Sequence, residues 1–271
     1  MSVNKSDKEL AFLRDLYVAT DWGERFAEQV DEHVELPKKG RMLYVASGTG
    51  GHALAMQERA GDKVTLVCID ESEECLELGQ AKAMATRSEA EFRRAQLESL
   101  GFEDDQFDLV VGDASLVAPE RLPEMLAEMA RVARPGGTVA VSLATASSFG
   151  EFFSVYWEAL RNEGIENHER DVEALIRELP TVASVEEIAD REGLDHVTSW
   201  TRVEEFNYQS GDEFLNSPLV TDFLLKGWFD PLAEEHQARV TKEIERIIDE
   251  ERQDMDFILT IKATLVVGRK A

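Results

Sequence analysis

The chain has 271 residues, 43% of them hydrophobic, which is long enough to bury a substantial core in one large domain. It carries 55 acidic against 29 basic residues, a formal net charge of −26 at pH 7. A surface this acidic repels phosphate backbones and anionic lipid headgroups, which argues against nucleic acid and membrane surfaces as partners.

The N-terminal region, residues 7–34, has the apolar spacing of two short amphipathic helices. It lacks a basic stretch followed by an apolar stretch, the order typical of a secretion signal. No apolar run in the chain approaches the ~18 residues that a membrane span needs. The two cysteines, Cys68 and Cys75, match no metal-site spacing. We therefore expect a cytoplasmic protein with free thiols and no bound metal.

Residues 41–144 alternate between short apolar runs and helical patterns. The apolar runs predict five strands: RMLYVAS from Arg41, KVTLVCID ending at Asp70, AEFRRAQ ending at Gln96, FDLVVGD ending at Asp113 and TVAVSLA ending at Ala144. The sequence Arg-Pro-Gly-Gly at 134–137 predicts a turn before the fifth strand. Alternation of this kind is typical of a mostly parallel sheet with helices on both faces.

After the fifth strand the alternation ends. Residues 147–193 read as helical, a strand follows at 196–208, and further helical patterns fill 211–253. A long apolar run at 256–270 predicts a closing strand. The chain therefore adds two helical insertions and two more strands to the alternating region.

Two glycines, Gly48 and Gly50, stand where the first strand gives way to a helix. With no Cβ in the way, a ligand can lie against the backbone N–H groups at the helix N-terminus. Asp70 ends the neighbouring strand, and the carboxyl ends of parallel strands meet in the crevice where such folds bind ligands. A carboxylate there can accept two hydrogen bonds from a ribose diol, so the two features predict a nucleoside site.

The glycine stretch alone does not identify the nucleoside. Gly48, Gly50 and Ala53 also fit the G-x-G-x-x-A dinucleotide fingerprint, so an NAD(P)-dependent oxidoreductase is an alternative. No Tyr-x-x-x-Lys pair or other hydride-site motif follows the fourth strand, which disfavours that alternative. Three other stretches also argue against an oxidoreductase. They are LESLGFEDDQFDLVVGDASL, EMLAEMARVARPGGTVAVSL and the C-terminal strand pair with its long helical connection.

These stretches resemble class I S-adenosylmethionine-dependent methyltransferases of the small-molecule type, similar to the ubiquinone/menaquinone-biosynthesis group. In that family LDVGCGTG forms the glycine loop, an acidic residue ends the second strand, and RVLRPGG precedes the fifth. The matching segments here are 43–50, Asp70, 96–110 and 131–137. FEDDQFDLVV and ARVARPGGTVAV are the most specific of them, because their turn residues and their flanks match together.

The resemblance implies an α/β fold, a Rossmann-like, doubly wound, seven-stranded, mostly parallel sheet with an antiparallel last strand and helical lid insertions. It implies a single methyltransferase domain over residues 1–271. Its predicted parts are an N-terminal helical cap at residues 1–40, a cofactor-binding core at 41–146, two helical lid insertions at 147–196 and 209–255, and the last strand at 256–271.

The same resemblance implies S-adenosyl-L-methionine as cofactor, with a small-molecule methyl acceptor as partner. Asp70 would hold the ribose hydroxyls, Leu97 would flank the adenine, and Gln96 would contact the adenine amino group. The glycine loop would pass under the methionine and ribose part, and the end of the fourth strand would face the methionine end or the substrate. The implied cofactor-binding residues are Ala46, Ser47, Gly48, Thr49, Gly50, Asp70, Glu71, Gln96, Leu97, Gly112 and Asp113.

The glycine loop departs from the family pattern at two positions. Tyr44 stands where the family usually has Asp, and Ala46 stands where it has its first Gly. The missing carboxylate commonly braces the loop and helps to hold the cofactor's amino group. The departures keep a non-catalytic protein that binds S-adenosylmethionine or S-adenosylhomocysteine as an alternative.

Acceptor chemistry is less clearly marked in the sequence. The helical insertions are rich in aromatic residues, which either pack as core or line an apolar acceptor pocket. Methyl transfer is an in-line displacement at a sulfonium, and a base is needed only for a phenol, hydroxyl or amine acceptor. The weak candidates for such a base are Asp113, Tyr156 and His168.

Overall fold

The computed structural model describes residues 5–165, 169–252 and 255–271. It contains a seven-stranded sheet with the strand order β3-β2-β1-β4-β5-β7-β6. The strands are β1 Gly40–Val45, β2 Val64–Asp70, β3 Glu91–Arg94, β4 Phe107–Asp113, β5 Ala133–Ala144, β6 Leu194–Tyr208 and β7 Phe257–Lys270.

The pairing of the strands confirms the predicted sheet. Strands β3, β2, β1, β4 and β5 pair in parallel, with Leu43 opposite both Val67 and Val110. Strand β7 runs antiparallel to the end of β5. Thr145 N–H donates to the Lys262 carbonyl, whereas Phe149 N–H, later in the chain, donates over 2.8 Å to the carbonyl of Thr260, which precedes Lys262. The Rossmann-like fold class is therefore confirmed.

Helices connect the strands and continue through the C-terminal half. The α-helices are α1 Asp7–Leu13, α2 Glu24–His33, α3 Gly51–Ala60, α4 Glu73–Thr86, α5 Leu122–Val132, α6 Gly150–Asn162, α7 Glu169–Glu178, α8 Val182–Arg191, α9 Gly211–Asn216, α10 Leu225–Phe229 and α11 Glu234–Arg252. Arg14–Gly23 and Leu219–Leu224 are π-helices, and Pro119–Arg121 is a single 3₁₀ turn. None of the described helices is long and apolar enough to cross a membrane.

Side chains of the central strands alternate between two buried faces. On β1, Leu43 and Val45 join one apolar cluster with α5, whereas Met42 and Tyr44 join another with α2 and α3. A strand buried on both faces needs a nearly continuous apolar sequence, which explains runs such as VTLVCI in β2. Burial of both faces leaves the carboxyl ends of the strands as the place where polar groups meet.

Two local predictions need correction. The N-terminal region is not two separate helices, because Arg14 and Glu24 at its junctions keep right-handed helical torsions and join α1, the π-helix and α2. Strand β5 begins at Ala133, before the predicted turn. Its pairing with β4 jumps from Phe107↔Ala133 to Leu109↔Thr138, so the Arg-Pro-Gly-Gly turn is a bulge inside the strand.

The chain forms two compact units. Unit 1 is drawn from Met1–Leu143, Val182–Thr201 and Ala263–Ala271, and it holds both apolar clusters described above. Unit 2 is drawn from Ala144–Thr181 and Arg202–Lys262. Its interior is an aromatic cluster around Phe152, whose ring stacks on Trp228 at 4.1 Å between ring centroids. The predicted role of the unit 2 helices as a lid stays a prediction.

Candidate cofactor site

The turn after β1 and the end of β2 are joined by hydrogen bonds. Gly48 N–H donates to Asp70 Oδ2 over 2.7 Å, and Ser72 N–H donates to Asp70 Oδ1 over 3.0 Å. Asp70 is only 5% exposed, so its carboxylate depends on these donors for compensation of its burial. The structure thus brings together the two sequence features that predicted a nucleoside site.

Glycine is required at position 50 by backbone torsion and by space. Gly50 has φ +73° and immediately precedes α3. A Cβ on Gly50 would lie 2.6 Å from a ring carbon of Phe92, and one on Gly79 would lie 2.3 Å from the same atom. The Phe92 ring therefore fills the space between the loop and α4, and both glycines make room for it.

The N-terminal π-helix is tied to the glycine loop through Asp15. Thr49 Oγ1 donates to Asp15 Oδ1 over 2.5 Å, and Lys82 on α4 forms an ion pair with the same oxygen. Lys82 Nζ also lies 3.1 Å from Thr49 Oγ1. The Thr49 side chain therefore holds the N-terminal segment against the loop.

Arg14, next to Asp15, brings a cation into the site. Its Nη1 lies 3.7 Å from Asp70 Oδ2. Burial opposes the charge of the guanidinium, but attraction from Asp70 and, less strongly, from Cys75 and Asp113 raises the pKa of Arg14 above its usual value. Arg14 is therefore charged at any physiological pH.

The end of β4 is also tied to the N-terminal π-helix. Asp113 Oδ1 accepts from Ser115 N–H over 3.0 Å, and the Ser115 hydroxyl accepts from Trp22 Nε1 over 2.9 Å. Trp22 is 1% exposed. Asp113, a candidate base and cofactor contact, therefore lies near Arg14, with the buried Trp22 indole beside it.

Tyr44, which replaces the family's Asp, takes part in a chain of hydrogen bonds. Its hydroxyl lies 2.9 Å from His52 Nδ1, and His52 Nε2 lies 2.9 Å from Asp31 Oδ1. Burial raises the pKa of Tyr44 well above its usual value, and the charge of Asp113 adds to the shift. The phenol is therefore protonated, and the His52 ring links its hydroxyl to the Asp31 carboxylate.

Ala46, the second departure, occupies a conformation that suits glycine. Its φ is +56°, in the left-handed region, and its side chain is buried in the apolar cluster that contains Leu43. A left-handed alanine costs roughly 1–2 kcal/mol relative to a right-handed one. The chain therefore makes the family's turn at this position in spite of the methyl group.

Three further residues predicted to contact the cofactor, Glu71, Gln96 and Leu97, also lie in unit 1. Arg121 binds both oxygens of Glu71, at 2.8 and 2.9 Å, and also contacts Glu98. Gln96 is exposed, whereas Leu97 is 3% exposed within the apolar cluster. Their roles in cofactor binding stay predictions.

The side of Gly112 that would carry a Cβ faces the core. A Cβ there would lie 2.7 Å from Met129 Sδ and 2.9 Å from Met125 Cε on α5. The lack of a side chain at position 112 therefore serves packing between β4 and α5.

The two remaining candidate bases lie outside unit 1 or outside the described residues. Tyr156 is buried in the aromatic cluster of unit 2, where its ring stacks on Phe152 with 5.6 Å between centroids. Burial raises the pKa of Tyr156, with a contribution from Asp171, so its phenol is protonated at neutral pH. His168 lies outside the described residues.

Sequence reasoning missed Arg14 and Trp22 as site residues. Both lie in a segment whose apolar spacing predicted only a helical cap. The sequence carried no signal for either residue, because their partners Asp70 and Ser115 lie far along the chain.

The site has features that suit an adenosyl cofactor. Gly48 has a φ of +54° and no side chain, Asp70 offers a buried carboxylate at the adjacent strand end, and Arg14 supplies a positive charge beside both. Together these groups can complement a ribose diol and an amino-acid moiety.

Comparison with known proteins supports the resemblance. A family model described as Methyltransferase domain matches residues 42–137, the segment that contains the glycine loop, Asp70 and the β5 bulge. Over this segment the chain has the sequence pattern of a methyltransferase domain. The resemblance seen in the sequence is therefore confirmed.

Two curated relatives match part of the domain. The chain is 34% identical over 110 residues to the ubiquinone/menaquinone biosynthesis C-methyltransferase UbiE of Geotalea daltonii, covering 40% of this chain and 47% of that protein. It is 31% identical over 123 residues to the demethylmenaquinone methyltransferase of Shouchella clausii, covering 44% and 52%. The chain thus spans about half the length of these relatives.

Solved structures extend the similarity of fold to most of the chain. The YcgJ protein of Bacillus subtilis aligns with a TM-score of 0.60 at 16% identity, over 91% of this chain and 98% of that one. Geranyl diphosphate C-methyltransferase of Streptomyces coelicolor, in complex with S-adenosyl-L-homocysteine, aligns with a TM-score of 0.53 at 10% identity, over 92% and 79%. At such identities the likeness concerns the fold alone.

Proposed function

We propose that this protein is an S-adenosylmethionine-dependent methyltransferase that moves a methyl group to a small-molecule acceptor in the cytoplasm. The observation that carries the proposal is the direct hydrogen bond from Gly48 N–H to Asp70, within a segment that matches the methyltransferase domain. The named activities of the two curated relatives support a small-molecule acceptor.

The described residues supply binding and orientation. Asp70 is placed to accept from the ribose hydroxyls, and the Arg14 guanidinium lies against the bare face of Gly48. When bound, S-adenosylmethionine supplies an electrophilic methyl group on a sulfonium. Positive charge is lost from the sulfur during transfer, so positioning and exclusion of water are what the protein must provide. The buried Trp22 and the helical segment around it serve that exclusion on the N-terminal side.

The loop is braced even though its usual carboxylate is missing. The chain from Tyr44 through His52 to Asp31 joins β1, α3 and α2, and so fixes the strand end from which the loop departs. This bracing favours a working cofactor site over a degenerate one. Acceptor deprotonation, where the acceptor needs it, falls to Asp113 as the candidate base in unit 1.

A thermal-shift panel tests the class of cofactor. S-Adenosylhomocysteine at 100 times its dissociation constant should add about 2.7 kcal/mol to the stability of the folded state, because it binds that state alone. S-Adenosylmethionine should stabilise the protein as well, whereas NAD and NADP should leave the melting temperature unchanged. Stabilisation by NAD or NADP with no response to the adenosyl ligands would reverse the assignment and favour an oxidoreductase.

A further inference from the structure

A serine and an aspartate stand side by side at the carboxyl ends of two neighbouring strands. In the parallel ladder of β4 and β5, Ser142 is the register partner of Asp113. Val141, next to Ser142, belongs to the apolar cluster with α5, and a Cβ on Gly112, next to Asp113, would also point at α5. Because successive residues of a strand face opposite ways, Asp113 and Ser142 share the other face, which α2 and α3 cover.

The Ser142 hydroxyl is buried without a hydrogen bond. Ser142 is 3% exposed, and its Oγ bonds to none of the described residues. Native proteins keep few such groups, because an unbonded buried hydroxyl lowers stability. A bound molecule that accepts from Ser142 Oγ–H would supply the partner that the described part of the chain does not.

The Asp113 carboxylate can bind the same molecule. Its Oδ1 accepts from Ser115 N–H over 3.0 Å, and a carboxylate can accept further hydrogen bonds through its second oxygen. Asp113 is half-buried, so a ligand can approach the pair from its side. Attraction from Asp113 contributes to the raised pKa of Arg14, which lies against Gly48, so the carboxylate is close to the cofactor loop.

Aromatic side chains shield this place from water. Trp22 Nε1 donates to the Ser115 hydroxyl over 2.9 Å, and the Trp22 ring packs on Phe26 with 5.2 Å between centroids. Both rings are almost completely buried. Hydrogen bonds to Asp113 and Ser142 are therefore made in surroundings of low polarity, where they are stronger than in water.

A hydroxyl group matches this pair of residues in full. Its hydrogen can be donated to Asp113, one lone pair of its oxygen can accept from Ser142, and the second lone pair is free to attack a methyl carbon. A neutral amine has a single lone pair, which the attack consumes, so it cannot accept from Ser142 as well. A thiol forms only weak hydrogen bonds, and a carbon nucleophile forms neither bond.

We propose that Asp113 and Ser142 bind the reacting hydroxyl of the methyl acceptor, and that the protein is an O-methyltransferase for an alcohol or a phenol. This inference rests on the proposed function and names its class of acceptor. As the oxygen attacks, its proton passes to the Asp113 carboxylate and an O–CH₃ bond forms. The electron pair of the broken S–CH₃ bond stays on sulfur, so the products are S-adenosylhomocysteine and a methyl ether. Ser142 Oγ–H orients the oxygen and takes up no proton.

Transfer of a labelled methyl group to matched probes tests the class of acceptor. Phenol, benzyl alcohol, benzylamine and thiophenol are each offered to the wild-type protein with S-adenosylmethionine labelled in its methyl group. Phenol or benzyl alcohol should be methylated on oxygen, and the better of the two tells a phenol from an alcohol. Transfer only to nitrogen, to sulfur or to a ring carbon would overturn the inference, and so would the absence of transfer to both hydroxyl probes.

Variants test the two residues. Ser142→Ala should lower kcat/KM for the hydroxyl probe about tenfold, with the melting temperature and the affinity for S-adenosylhomocysteine unchanged. Asp113→Asn keeps an oxygen for Ser115 N–H, and it should slow transfer to phenol more than transfer to 4-nitrophenol, which loses its proton more readily. Ser199→Ala is the matched control and should leave transfer unchanged, because Ser199 lies on β6 in unit 1 and its hydroxyl bonds to Glu186.

The outcomes separate this inference from the proposed function. Transfer at the wild-type rate in Ser142→Ala would mean that the hydroxyl holds only water. Losses of melting temperature and of affinity for S-adenosylhomocysteine that match the loss of transfer would mark a structural residue. Either result overturns the role of Ser142, whereas a wild-type protein that binds no adenosyl ligand would overturn the proposed function instead.

Discussion

Replacing Asp70 with alanine is expected to weaken S-adenosylhomocysteine binding about 10- to 150-fold. A hydrogen bond to a charged group contributes about 1.5–3 kcal/mol, and every 1.4 kcal/mol is a factor of ten in affinity. Unlike a solvated carboxylate at a strand end, Asp70 also accepts from Gly48 N–H and Ser72 N–H. Its removal leaves both donors without their partner, so the unliganded protein should lose about 3 kcal/mol of stability as well.

Calorimetry measures the affinity, and urea unfolding measures the stability. Asp62→Ala is the matched control, because Asp62 is an exposed aspartate just ahead of the opposite end of β2. It should change neither quantity. Wild-type affinity in a folded Asp70→Ala protein would remove Asp70 from the cofactor site.

Gly50→Ala is expected to destabilise the protein by about 2–5 kcal/mol. Two costs add: a left-handed residue with a Cβ costs roughly 1–2 kcal/mol, and the added carbon would lie 2.6 Å from the Phe92 ring. Forcing such an overlap in a packed interior typically costs a further 1–3 kcal/mol.

Gly164→Ala separates the two costs. Gly164 follows α6 with φ +66° in a Schellman turn, where Ile165 N–H donates to the Leu160 carbonyl, but a Cβ there meets nothing within 4 Å. Urea unfolding should therefore show only the torsional cost, about 1–2 kcal/mol, at position 164. Equal losses in the two variants would mean that Phe92 moves aside and that the loop is not held by its ring.

The sequence was sufficient to predict the strands, the order of elements and the meeting of Gly48 with Asp70. These features follow from local chemistry: apolar runs that must be buried, glycine at a left-handed turn, and the rule that parallel strands end at one edge. The β5 bulge shows where such reasoning loses accuracy. A Pro-Gly-Gly sequence indicates a turn, but pairing with β4 continues on both sides of it.

The partners within the site could not be predicted, because they come from distant parts of the chain. Trp22 binds Ser115 across 93 residues, and Lys82 binds Asp15 across 67. The same holds for Tyr44, which looks like a lost carboxylate in the sequence. Only the positions of α2 and α3 show that the Tyr44 hydroxyl lies beside His52, which in turn contacts Asp31.

The central claim is that an adenosyl cofactor binds where the glycine loop meets the end of β2. Amide hydrogen exchange, compared with and without saturating S-adenosylhomocysteine, tests this at the level of single segments. We predict slower exchange in the loop from Ser47 to Gly51 and in the residues that follow Asp70, with no change on addition of NAD. Saturation by S-adenosylhomocysteine without added protection at either segment would contradict the account.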